Sequence, residues 1–194
     1  MRSIVKYQNR VLGLLALLSI ITYVDRICIA VAGPRMQDDL HISPEAWGWV
    51  TGIFALSYGA FSIPVGALGD RFGPRRVLTW IVLWWSAFTT LTGPAPNYYL
   101  LLLTRFCFGI GEAGAYPNAS AVIVRWIPAS RVARAWGIVW LASQFPARYR
   151  PWWWCRFRRT MDGGRRSMCL GCLGSSGAAS GIGGFGILPE KNRA

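Results

Sequence analysis

The sequence has few acidic residues and little charge of either sign. Asp and Glu account for 8 of its 194 residues, Lys and Arg for 21, and charged residues for 15%. A soluble domain of this size needs a larger charged fraction to cover its surface. The basic excess does not indicate nucleic-acid binding, because no basic helix or aromatic-interleaved strand is present.

Cysteine is also scarce, with 5 residues, and its pattern excludes a disulfide framework. Cys28 and Cys107 lie in apolar runs, where cysteine behaves as a small buried hydrophobe. Cys169 and Cys172 form a single CxxC that lacks both a second zinc-ligand pair and the βαβ context of a redox motif. No nucleophile–base pair is visible, so we expect neither an enzyme nor a cofactor.

Long apolar runs are the dominant feature, with 53% hydrophobic residues and a mean hydropathy of +0.32. A helix needs about 20 apolar residues to cross the hydrocarbon core of a bilayer. We expect no cleavable signal peptide, because the first apolar run is too long for one. The fold class predicted is an all-α, polytopic membrane helix bundle. Its spans are 11–32, 46–68, 77–91 and 98–124, with a fifth that begins near 135.

The connectors between these spans predict the orientation in the membrane. Lys and Arg divide nine to one between the two sides, with only Arg35 on the poorer side. By the positive-inside rule, the N-terminus is cytoplasmic and the protein lies in the plasma membrane, which is the inner membrane of a two-membrane cell.

The connector 33–45 contains a candidate metal cluster of Asp38, Asp39, His41 and Glu45. Ser43 and Pro44 are typical of a helix start, with Ser43 as the cap. We therefore expect a capped helix and solvated loop residues, and no metal.

The segment after the second span reads GALGDRFGPRRVL, from Gly66 to Leu78. It resembles the signature loop of the major facilitator superfamily and has the position of that loop. The resemblance implies that Asp70 accepts a hydrogen bond or pairs with an arginine, and so latches one conformation of a carrier. The signature residues are Gly66, Asp70, Arg71, Gly73, Arg75 and Arg76.

Within that superfamily the chain resembles the anion:cation symporter group. The motifs are TYVDR at 22–26 and TRFCFGIGEAGAYPN at 104–118. The resemblance covers 10 to about 145 and implies the N-terminal half of a transporter that moves an organic anion, such as a sugar acid, with protons across a lipid bilayer. The alternative is a truncated membrane fragment that does not transport.

Four ionisable residues lie within the predicted spans: Asp25, Arg26, Arg105 and Glu112. A charge at the bilayer centre costs a few kcal/mol, roughly, so each should face a partner or a cavity. One interpretation is a set of salt bridges that only join helices. The other is an anion–proton site, because buried carboxylates can carry protons and arginine binds carboxylates.

The spacing of Arg105 and Glu112 places both on one helix face, with Gly109 between them. That glycine leaves room either for a substrate or for plain helix packing. The resemblance implies that Asp25 and Glu112 couple protons, that Arg26 contacts the anion and that Arg105 organises the site. Further candidates for contact with the substrate are Tyr23, Tyr58, Tyr116 and Asn118, the last beside a kink at Pro117.

The predicted domains are 1–145, with the spans, and 146–194, a basic, glycine-rich tail. A run with so many arginines would not insert into a membrane. Tryptophan has a single codon, so the nucleotides under 151–155, which include Trp152 to Trp154, are nearly fixed. When these nucleotides are read in a frame moved back by one base, the encoded residues are compatible with the family pattern. We expect an out-of-frame, disordered tail; an evolved lipid-binding tail is the alternative.

Overall fold

A computed structural model describes residues 2–93 and 95–148, and all regular secondary structure within these ranges is helical. The helices are α1 (Arg2–Leu40), α2 (Pro44–Phe72), α3 (Pro74–Thr92), α4 (Tyr98–Ala113), α5 (Ala115–Trp126) and α6 (Ala129–Arg148). The predicted all-α bundle is confirmed. The expectations for the tail beyond 148 lie outside the described residues.

The first helix is longer at both ends than the predicted span 11–32, and it continues through Pro34 to Leu40. The predicted connector 33–45 was therefore wrong in extent, because only 41–43 joins α1 to α2. The reason is physical: the end of an apolar run marks where a helix leaves lipid, while its backbone hydrogen bonds continue beyond that point.

The connection between α2 and α3 is shorter still. The signature segment was predicted as a loop, but the structure has only Gly73 between α2 and α3, at φ 87°. This left-handed conformation suits glycine because a Cβ would be strained there. Asp70 and Arg71 therefore belong to the last turns of α2, and Arg75 and Arg76 to the first turn of α3.

The predicted span 98–124 is two helices, α4 and α5, that meet at Gly114. Pro117 explains the break, because proline lacks the N–H that would bond to the carbonyl of Ala113 and its ring crowds that carbonyl. The helix α6 begins at Ala129, earlier than the predicted start near Ala135.

Two segments, Lys6–Ala30 and Pro44–Phe72, are each long and apolar enough to cross a bilayer by themselves. Many large apolar side chains on the surface are exposed, such as Ile63 at 83% and Leu141 at 74%. The most extensive packing joins α2 to α4 and α1 to α6. Within this packing, Asp25 on α1 and both Arg105 and Glu112 on α4 are buried.

Candidate functional site

The site begins with an ion pair between α1 and α4. The guanidinium of Arg26 donates to Oε1 of Glu112 through Nε, at 3.0 Å, and through a terminal nitrogen, at 2.7 Å. Glu112 has no exposed surface, whereas the Arg26 side chain is 36% exposed. Arginine can therefore reach a solute from the open side while it neutralises a carboxylate on the closed side.

Three aromatic rings lie close to the guanidinium group of this arginine. The guanidinium carbon of Arg26 lies 5.2 Å from the ring centroid of Tyr58, 5.5 Å from that of Phe54 and 5.8 Å from that of Tyr23. Contacts in this range stabilise the cation by about 0.5–2 kcal/mol each, more where water is excluded. The rings fix the direction in which Arg26 presents its remaining N–H groups.

An open pocket of about 400 Å³ lies in front of Arg26. The stacked rings of Tyr116 and Trp140, with centroids 5.8 Å apart, form part of its wall. The lining residues are Tyr23, Arg26, Tyr58, Tyr116, Trp136 and Trp140. The three predicted tyrosines are thus brought together with Arg26, which is the one charged residue among the described residues that line the pocket.

The side chain of Asp25 points in a different direction from that of Arg26, because consecutive residues of a helix point about 100° apart. It is 5% exposed, and its Oδ2 accepts a hydrogen bond from the indole N–H of Trp85 on α3. Its Oδ1 has no hydrogen-bond partner among the described residues. One carboxylate oxygen is thus held and the other remains available to a proton.

Arg105 lies deeper than Arg26 and is 5% exposed. It is within electrostatic range of both Asp25 and Glu112, and its guanidinium carbon is 5.3 Å from the ring centroid of Phe108. It does not line the pocket. Arg105 is thus a buried cation within electrostatic reach of both carboxylates.

Gly109 packs against α2. A Cβ at this position would clash with the side chain of Ser57 and the carbonyl oxygen of Phe54. The sequence left two interpretations of Gly109, room for a substrate or helix packing, and the structure shows close packing of α4 against α2.

Asn118 also serves a helix contact in the structure. It is 1% exposed, and its amide donates to the carbonyl of Gly114 at 2.8 Å and to that of Val65 at 3.3 Å. The side chain lies against Gly69, where a Cβ would clash with it. The structure therefore places Asn118 between α2 and α5, apart from the residues that line the pocket.

The signature segment is connected to the end of α5. Oδ1 of Asp70 lies 3.9 Å from a guanidinium nitrogen of Arg125, and both side chains are largely exposed. Gly66 contacts Pro117, where a Cβ would be crowded by the ring. The segment thus contacts the same helix pair that carries Glu112.

At the opposite end, Ser43 caps α2 and its hydroxyl accepts from the N–H of Ala46 at 3.2 Å. Asp38 and Asp39 lie on the last turn of α1. The predicted cap at Ser43 is confirmed.

Sequence reasoning did not identify Trp85, Phe108 or the α6 residues Trp136 and Trp140. An aromatic residue in a span is usually a packing residue, and only the bundle shows which ring meets a charge. No periodicity in the sequence links Asp25 to Trp85, which lies 60 residues away.

Comparison with known proteins shows the family to which the chain belongs. Residues 15–145 match the Major Facilitator Superfamily. The "Probable sulfoacetate transporter SauU" of Cupriavidus necator is 36% identical over 138 residues, which are 71% of this chain and 32% of that protein. The "Probable galactarate/D-glucarate transporter GudP" of Escherichia coli K12 is 33% identical over 152 residues, with 74% and 34% covered. The chain spans about a third of the length of these curated relatives.

A solved structure has the same fold. It is a bacterial homologue of the human lysosomal transporter Spinster in an inward-facing, unoccupied conformation, with a TM-score of 0.81 and 24% identity. The alignment covers 97% of this chain and 44% of that one. The predicted N-terminal part of a transporter bundle is therefore confirmed, and the chain belongs to the Major Facilitator Superfamily.

Proposed function

We propose that the chain forms the N-terminal half of a proton-coupled symporter of an organic anion such as a sugar acid. One observation carries this proposal: Arg26 faces an aromatic pocket while it is paired with the fully buried Glu112. Arginine binds carboxylates with two parallel hydrogen bonds, so the pocket suits an organic acid. The relatives named as transporters of sulfoacetate and of galactarate and D-glucarate support this class of substrate.

The pair provides a physical basis for coupling. A substrate carboxylate and Glu112 compete for the same guanidinium. When the anion takes Arg26, an ionised Glu112 would remain buried without its partner, which is costly in an apolar interior. Uptake of a proton by Glu112 removes that cost, so binding of the anion favours binding of a proton.

Asp25 is proposed as a second proton carrier, and Arg105 as the cation that offsets both carboxylates. Tyr23, Tyr58 and Tyr116 are proposed to offer hydroxyl groups to the substrate from the pocket wall. Asn118, bonded to backbone carbonyls, is proposed to act on the helix contact and not on the solute.

The orientation belongs to the same proposal. The nine-to-one distribution of Lys and Arg supports a cytoplasmic N-terminus in the plasma membrane. Asp70 and the arginines near Gly73 would then lie at the cytoplasmic surface, where their contact with α5 is proposed to latch one conformation.

A second candidate function is a membrane fragment that does not transport. It is favoured by the architecture of such transporters, which hold the substrate between two helical repeats, because the six described helices belong to the first of these. Vesicles that contain this polypeptide, with an inward proton gradient and radiolabelled D-glucarate or sulfoacetate outside, separate the two candidates. Gradient-dependent accumulation supports the symporter, and its absence with a correctly inserted chain supports the fragment.

The coupling role of Glu112 has its own test, in the same vesicles. Glu112→Gln should abolish accumulation driven by the proton gradient and retain exchange of labelled for unlabelled anion. Glu45→Gln is the matched control, because this glutamate lies in the first turn of α2, away from the pocket. Unchanged accumulation in Glu112→Gln would reassign the residue to a structural role.

We also propose that residues 146–194 are read out of frame. The family match ends at 145, the point at which the composition changes to arginine and glycine. Sequencing of the encoding DNA tests this directly. An alternate frame without an intact family-like reading removes the proposal.

A further inference from the structure

A hydrogen bond in the interior joins α1 to α3 and is not used by the proposed transport cycle. The indole N–H of Trp85 on α3 donates to Oδ2 of Asp25 on α1, and both side chains are nearly inaccessible, at 2% and 5% exposure. The bond joins a neutral donor to a carboxylate in an apolar environment, where such charge-assisted bonds are strong.

The packing of Trp85 fixes the direction of this bond. Its ring meets that of Phe108 edge to face, with centroids 6.3 Å apart and an interplanar angle of 90°. The ring of Phe108 in turn lies 5.3 Å from the guanidinium carbon of Arg105. Trp85 therefore holds the Asp25 carboxylate towards α3 at a position set by the same ring that contacts Arg105.

The chemical character of the donor matters. Indole is a donor only and carries no charge. It stabilises an ionised carboxylate without the permanent attraction of a lysine or arginine at the same position. Among the described residues, the charged groups that act electrostatically on Asp25 are Arg105 and Glu112, both on α4.

We propose that Trp85 is a positioning residue that holds ionised Asp25 against α3 and so sets the pH at which this carboxylate exchanges its proton. The inference rests on the proposed function, in which Asp25 carries a proton. It adds the helix α3 to a site whose ionisable residues, as predicted from the sequence, lie on α1 and α4.

The test is infrared titration of the whole chain reconstituted in lipid. The carboxylic acid band that disappears in Asp25→Asn identifies Asp25. In Trp85→Phe the ionised form loses its donor, so the midpoint of this band should move to higher pH by about one unit, the effect expected for one hydrogen bond to a charged group.

Trp84→Phe is the matched control. The indole of Trp84 also donates from α3, at 2.8 Å, but to the backbone carbonyl of Cys107. This variant should leave the Asp25 midpoint in place. Equal midpoints in Trp85→Phe and Trp84→Phe would overturn the proposal.

A second measurement covers the case in which Trp85→Phe does not fold. In protein labelled with ¹⁵N-tryptophan, one of the 11 indole resonances should titrate with the Asp25 band, and this titration should vanish in Asp25→Asn. The proposal would also be overturned if no indole resonance changed its chemical shift over that pH range. Neither readout requires transport, so a failure of uptake would refute the proposed function and leave this result unaffected.

Discussion

The polar groups inside the bundle and those at the ends of its helices obey different rules. Inside, Glu112 has no exposed surface and Asp25 and Arg105 are 5% exposed. At the ends, the side chains of Asp70 and Arg125 are 79% and 48% exposed, and their closest oxygen–nitrogen approach is 3.9 Å. Water solvates the end charges whether or not they pair, whereas an interior charge depends on its partner.

This difference also separates the two kinds of role. The interior charged groups leave one oxygen each of Asp25 and Glu112 without a hydrogen-bond partner among the described residues, and this is where we propose that protons are exchanged. The groups at the ends are numerous and cap or pair helix termini. A substitution of a charged interior group should therefore change both stability and transport, while a substitution at the helix ends should change stability less.

The largest effect is expected from Arg26→Ala. It leaves the carboxylate of Glu112 buried without its cation, and we expect a loss of about 3 kcal/mol in the free energy of unfolding, the lower end of the range for a broken buried pair. Arg26 is partly exposed, which is why the lower end applies. Chemical unfolding in detergent, followed by circular dichroism, measures this.

The double variant Arg26→Ala with Glu112→Gln sharpens the comparison. Removal of both charges should recover most of the lost stability, because no unpaired charge remains. Uptake of the anion should stay absent in both variants. A double variant as unstable as the single one would show that the pair is not what Arg26 contributes to the fold.

The next effect concerns Asn118 inside the bundle. Asn118→Leu removes the amide donor to the carbonyls of Val65 and Gly114, so we expect a loss of about 1–2 kcal/mol in unfolding free energy. The KM for the anion should not change, because this side chain faces α2 and not the pocket. A raised KM with unchanged stability would instead support the contact with substrate predicted from the sequence.

These examples show how far sequence could lead. The lengths of apolar runs predicted the bundle, and the charges within them predicted four interior residues, all of which the structure places in or beside one site. Both predictions follow from a strong rule, that charge and unpaired backbone are costly in lipid.

The features that the sequence did not predict depend on contacts between helices that are far apart in the sequence. The position of Asn118 after Pro117 suggested a polar contact with the substrate at a kink, yet Gly69 on another helix creates the space in which this side chain is buried. Likewise, the bond from Trp85 to Asp25 requires the packing of α3 on the other helices. Helix ends were also misplaced, as at Leu40, because hydropathy reports the membrane boundary and not the end of the hydrogen-bond ladder.

A smaller loss of unfolding free energy is expected from substitution of Asn97, an asparagine that precedes the first residue of α4. The side chain of Asn97 accepts from the N–H of Leu100 at 2.8 Å in an exposed setting. Asn97→Ala should cost about 1 kcal/mol, as for a typical helix cap, because water partly replaces the lost acceptor. Unfolding of both variants under the same conditions compares a helix end with the interior directly. A larger loss of unfolding free energy in Asn97→Ala than in Asn118→Leu would contradict the expectation that interior groups matter more.

The smallest change in stability is expected from Asp70→Asn. An exposed pair with this separation contributes on the order of 0–1 kcal/mol, and salt screens it further. Unfolding in low and in high salt should therefore differ little between the variant and the original chain. If the proposed latch is correct, the variant should still alter uptake in vesicles, because the contact between α2 and α5 would then bias which side of the carrier is open. A loss of several kcal/mol would place Asp70 with the interior charges, since only a group that depends on its partner can cost that much.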